Sequence, residues 1–290
     1  MERTLAGSAG VALAGAEVNT RNQGGSIPLH GAAANDNLAA IEALVAAGAE
    51  VNARDEGGLT PLHHAAWPND NPAIIEALVA AGAEVNARDE DGLTPLHRAA
   101  WLDANPAIIE ALVAAGAEVN ARGGDGLTPL HRAAVLNANP AVIEALVAAG
   151  AEVNARGGDG LTPLHRAAWS NDNPAIIEAL VAVGAEVNAR GGDGFTPLHV
   201  AAMATASPTI IEALVAVGAE VNARDGDDLT PLHVAAMVPA SPTVIEALLD
   251  AGADATARDA EGKVPWDYAE VRAEFRGAAV YWRLNDGRFR

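Results

Sequence analysis

Thr94-Pro95-Leu96-His97-Arg98-Ala99-Ala100 opens with a hydroxyl residue, continues with proline and ends in small apolar side chains. Threonine caps a helix, and proline suits the first helical position, where its missing N–H has no partner to lose. The stretch therefore starts a short helix with a small apolar face. Its first four residues return as Thr60 to His63, Thr128 to His131, Thr162 to His165, Thr196 to His199 and Thr230 to His233. A weaker copy, Ile27-Pro28-Leu29-His30, precedes them. The spacing is 33 residues once and 34 five times. A period of this size marks stacked units, none of which buries its apolar face alone.

Each unit carries further signals. Asp91-Gly92 is a hairpin-tip dipeptide, because glycine accepts the positive φ that such turns need. Asn105-Pro106 repeats the cap-plus-proline signal and starts a second helix, in which Ile108, Ile109, Leu112 and Val113 recur at three- and four-residue spacing. Gly116 sits where a helix closes in the left-handed conformation. The unit reads hairpin, helix, turn, helix.

The Thr-Pro-Leu-His-x-Ala-Ala run at this period resembles the ankyrin repeat. That resemblance implies an all-α solenoid of stacked helix-turn-helix units with β-hairpin-like loops. From the second copy onward each unit has one extra residue, placed in the turn between its helices; loops absorb such insertions cheaply. Seven repeats are expected at 22–54, 55–88, 89–122, 123–156, 157–190, 191–224 and 225–258. Residues 1–21 are expected as a half-repeat cap, since Ala14-Gly15-Ala16-Glu17-Val18-Asn19 copies Ala81 to Asn86. That reading is preferred to a signal peptide over Leu5 to Gly15. Residues 259–290 are expected as a divergent cap and tail, with Asp267 in the histidine register and a last helix over 271–284.

Composition narrows the function. Half of the 290 residues are hydrophobic but only 3% are aromatic, which suits thin layers of small side chains. A formal charge of −20 argues against nucleic acid and against an anionic membrane. Without cysteine there is neither disulfide nor thiolate metal site. Lys263 is the only lysine among 18 basic residues, and with so much alanine this suggests a bacterial source. A cytoplasmic monomer is expected, with a host-directed effector as an alternative.

Chemistry is harder to find. Seven of the eight histidines are the motif residue, and the resemblance places equivalent residues too far apart to share a metal ion. Each is expected to bond its own threonine and adjacent backbone, with His64 a surface contact. The glutamates recur once per unit in identical surroundings, whereas a catalytic pair needs two different ones. No catalytic residue, cofactor or metal ligand is assigned.

Informative positions are those that vary while their surroundings repeat. After the motif histidine the chain reads His64, Arg98, Arg132, Arg166, Val200 and Val234; three residues on, it reads Trp67, Trp101, Val135, Trp169, Met203 and Met237. In ankyrin stacks this side of the first helix and the hairpin tips line a concave face that takes partner proteins. The resemblance therefore implies a partner site comprising Trp67, Arg98, Trp101, Arg132, Val135, Arg166, Trp169, Met203 and Met237, with Glu90 and Asp91 at a tip. Tryptophan and arginine often dominate binding energy; the alternative is that each tryptophan packs flat on its neighbour. Arg54, Arg88, Arg122 and their equivalents are expected to pair with the acidic tips. Asp227-Asp228 replaces Asp-Gly at one tip, which should strain or rearrange it. The basic tail, Arg272 to Arg290, offers a second contact or a route to self-association.

Overall fold

A computed structural model describes residues 17–67, 70–101, 105–136, 139–170, 172–204, 207–238, 242–269 and 282–285. Among them there are α-helices and turns but no strand. Two compact units emerge, Met1–Pro129 with Ala145–Ala151 and Leu130–Glu144 with Glu152–Arg290.

In the first unit, three helix pairs follow one another: α1 (Pro28–Ala34) with α2 (Leu38–Ala46), α3 (Pro61–Ala66) with α4 (Pro72–Ala80), and α5 (Pro95–Ala99) with α6 (Pro106–Ala114). Helix α1 packs on α3 and α3 on α5; α2 packs on α4 and α4 on α6. Next in the chain come α7 (Pro129–Leu136) and α8 (Pro140–Ala148). The second unit continues with α9 (Pro163–Ser170) and α10 (Pro174–Ala182), α11 (Pro197–Met203) and α12 (Pro208–Ala216), α13 (Pro231–Met237) and α14 (Pro242–Asp250), then α15 (Pro265–Ala269). There α9, α11, α13 and α15 form one row, and α10, α12 and α14 the other.

Such short helices hold because their ends are bonded. The Nδ1 of His97 lies 3.1 Å from the Thr94 N–H and 2.9 Å from its hydroxyl. A backbone N–H only donates, so Nδ1 accepts and the ring proton sits on Nε2. Nε2 then donates across to the Leu127 carbonyl of the next repeat at 3.1 Å. The same inter-repeat bond runs from His30, His63, His131, His165, His199 and His233. One ring thus closes a helix and fastens two repeats, as the motif predicts.

The second helices are capped by asparagine: Asn71, Asn105 and Asn173 each accept from the N–H two residues on. They end at glycine, with Gly116 at φ +94° and open space where a Cβ would stand, so backbone angle rather than crowding selects glycine there. Leu96, Ile109 and Leu112 have no exposed surface, and Ala99 and Ala100 let neighbouring layers close on them. The inserted residues between paired helices lie largely outside the described residues.

Two backbone-directed ladders reinforce the stack. Asn52 donates to the Gly82 carbonyl and accepts from the Glu84 N–H; Asn86 does the same with Gly116 and Glu118. Asn19 makes these bonds to Gly48 and Glu50, so the repeat pattern already operates at the start of the described chain. Arg21, Arg54, Arg88, Arg156, Arg190 and Arg224 each reach the carbonyl of the next repeat's arginine at 2.5–2.7 Å. The described bonds of these arginines thus run mainly to backbone, where tip acids were the expected partners, although Arg224 also pairs with Asp228 at 3.8 Å. A carbonyl held at a fixed place outcompetes an exposed carboxylate, whose pairing gains little in water.

At the far end, the Asp267 carboxylate accepts the Val264 N–H at 3.0 Å, as the histidine would. An ionised carboxylate has no N–H to donate onward, as the histidine Nε2 does. Trp266 is buried. Of the expected last helix, residues 282–284 are described and helical, while 271–281 lie outside the described residues. Arg283 pairs with Asp250 at 2.8 Å.

Candidate functional site

The residue after the motif histidine lies on the first helix of its repeat, and His64, Arg98 and Arg166 there face the turn that precedes the helix. A turn aspartate uses one oxygen on backbone and the other on this residue. Asp89 Oδ1 accepts from the Asp91 and Leu93 N–H groups, and Oδ2 accepts from Arg98 at 2.8 Å. Asp55 repeats the arrangement with Gly57, Leu59 and His64, the last at 2.9 Å. Asp259 does so with Glu261, Lys263 and the Tyr268 hydroxyl. Burial works against ionisation of Asp259, but the Tyr268 hydroxyl and the two N–H groups outweigh it and hold its carboxyl below the usual range.

Where glycine starts the turn, the partner shifts two positions. Arg166 meets Asp159 at 2.5 Å, and Asp159 also accepts the Leu161 N–H. Arg98 and Arg166 are therefore held in place by their own turns. Arg132 and Val135 are half-buried on α7.

One turn further along each helix stand the large apolar residues. Trp67 is 42% exposed at the end of α3, Trp169 is 47% exposed on α9 and Met237 is 40% exposed on α13. Trp101 and Met203 are half-buried. Trp67 and Trp169 thus keep nearly half of their surface exposed. Val200 and Val234 behave differently from the expectation that they are presented: they are 2% and 4% exposed and belong to the core. Without a charged head to keep in water, a branched apolar side chain at this register turns inward. Val200 and Val234 therefore drop out of the second unit's stripe.

At the tip beside Arg98, the side chains of Glu90 and Asp91 are exposed while their backbone is bound. Glu90 N–H donates to the Gly57 carbonyl, and the Asp91 carbonyl accepts from the Gly124 N–H at 2.8 Å. The tips are rigid carriers of negative charge.

His64 is more than a surface contact. It is half-buried, bonded to Asp55, and its ring stands edge-on to that of His30 with centroids 5.3 Å apart. Sequence reasoning missed this meeting because it compares equal positions of successive repeats. Here position one of one repeat meets position two of the next. The rings of the motif histidines offer no free nitrogen for proton transfer: where both bonds are described, as in His63, His165 and His199, one side takes backbone N–H and the other backbone carbonyl.

A family model that describes ankyrin repeats as sets of three matches four overlapping stretches, residues 8–89, 29–123, 96–191 and 164–259. No curated protein matches the chain.

Proposed function

Because the chain belongs to the ankyrin-repeat family, whose members are generally protein–protein interaction modules, we propose that it is a non-catalytic scaffold gripping a partner protein through its first-helix stripes. In the first unit the contact residues are Trp67, Trp101 and Arg98, with Glu90 and Asp91 on the rim. In the second they are Arg132, Val135, Arg166, Trp169, Met203 and Met237. One observation carries this reading: Trp67, Trp169 and Met237 keep 40–47% of their surface exposed, whereas most other large apolar side chains of the repeats are buried. Keeping tryptophan exposed wastes burial free energy that packing would otherwise recover.

The division of labour follows from the geometry. The tryptophans and methionines supply apolar area, and arginines pre-fixed by their turn carboxylates lose little freedom on binding. The acidic tips bias the encounter toward basic partners. The alternative is self-association through the basic tail, of which Arg283 pairs with Asp250 of its own chain. The test is a double substitution, Trp67→Ala with Trp169→Ala, in quantitative co-purification against the unmodified chain. The variant should keep its helical circular dichroism and lose partner recovery. Equal recovery would remove these stripes as the contact surface.

A further inference from the structure

We propose that His30, Asp55 and His64 form a binding site for one divalent transition-metal ion of the zinc class. The three side chains place a ligating atom each within 4.8 Å of one another. Two imidazoles and a carboxylate are a zinc donor set, and bonds of about 2.0–2.1 Å put tetrahedral ligands roughly 3.3 Å apart. His64, half-buried at the surface of α3, supplies the adjustment by a small rotation.

Charge favours an ion at this repeat in particular. In the next repeat the equivalent carboxylate, Asp89, faces the permanent cation of Arg98 at 2.8 Å. Asp55 has His64 in that place, and the Asp55 side chain is only 9% exposed. A shielded carboxylate without a fixed counter-charge gains most from a bound cation.

His30 is also the motif histidine most ready to change partners. Ile27 replaces threonine, so Nδ1 accepts from the Ile27 N–H but from no hydroxyl. Coordination through Nε2 gives up the bond to the Leu59 carbonyl and transfers the ring proton to Nδ1, facing that N–H. This exchange weakens the site relative to one whose ligands are already free. A cleft of about 440 Å3, lined by Thr20, Asn22, Ser26 and Gly31 beside His30 and His64, supplies the entry path and room for water as the fourth ligand.

The test is calorimetric titration of the full chain with zinc chloride at neutral pH, repeated on His64→Arg and Asp55→Asn. His64→Arg installs the residue that the next repeat carries at this position, and Asp55→Asn keeps an oxygen for the Gly57 and Leu59 N–H groups. One equivalent should bind the unmodified chain, at least tenfold weaker in either variant. Cobalt in place of zinc should give the visible absorption of a low-coordinate site. Lack of a saturable first equivalent would overturn the proposal. So would undiminished binding by both variants, which would assign uptake to the exposed carboxylates.

Discussion

At single positions, the repeat is an internal control. Tip residues Gly58, Gly92, Gly126, Gly160 and Gly194 have φ between +72° and +86°, and Asp228 occupies the same place at φ +59°. The replaced glycine has therefore left the turn strained but not rearranged: Leu229 N–H still reaches Asp225 and Ala260 N–H still reaches the Asp227 carbonyl. A left-handed conformation costs an L-residue roughly 1–2 kcal/mol, least for aspartate and asparagine. The Arg224–Asp228 pair, 3.8 Å apart and exposed on both sides, offsets little of that. Glycine adds some unfolded-state freedom, so Asp228→Gly should stabilise the protein by about 0.5–1 kcal/mol net. Urea unfolding measures it directly, and a lowered midpoint would contradict the strain assignment.

Across a helix pair, the histidine bond sets how the element responds to acid. Burial pushes His63 down to about 4 against the opposing pull of the Leu93 carbonyl, and burial likewise lowers His30, His165, His199 and His233. The unfolded chain titrates near 6.5, so between these values it binds more protons than the folded chain does. Stability should accordingly be complete above about pH 6.5 and fall as pH drops toward 4, by roughly 3 kcal/mol for His63 alone. Protonated Nδ1 would point a second donor at the threonine N–H, so each first helix loses its cap while Nε2 keeps its bond to the next repeat. Asp55, Asp254 and Asp259, all lowered, contribute above their ordinary value and are lost only at still lower pH. Urea midpoints taken from pH 7.5 to 4.5 separate the two windows, and a flat profile over that range would exclude the histidine ladder as the cause.

This element was legible in the sequence because its logic is local. Thr-Pro at a helix start, asparagine before the second helix and glycine after it each act within four residues. What escaped were contacts set by lateral register: arginine reaching the next repeat's carbonyl, Val200 and Val234 turning inward, and His30 meeting His64. Composition reports that acids and arginines alternate, but only the stacking offset decides which oxygen an arginine meets. The exposed tryptophans were found because they interrupt a repeated pattern, and that signal needs no coordinates.

For the molecule as a whole, the rows of helices within each unit imply energetics summed over neighbours rather than one shared core. Leu146, in α8, has no exposed surface, so Leu146→Ala removes buried methyl groups between thin layers with little room to relax. Such a change should destabilise by about 2–5 kcal/mol. The manner of the loss is the sharper expectation. A repeat bonded only to adjacent repeats opens without needing distant ones to open, so protection should fall first around α6, α8 and the turns bonded to them. Asn120, which donates to the Gly150 carbonyl, and Ala151, whose N–H reaches the Leu146 carbonyl, mark that neighbourhood. Amide exchange at Leu29 and Leu232, both fully buried and far along the chain, should stay near its original rate. If those two accelerate in step with Leu146, the layers share a single cooperative core and the additive description is wrong.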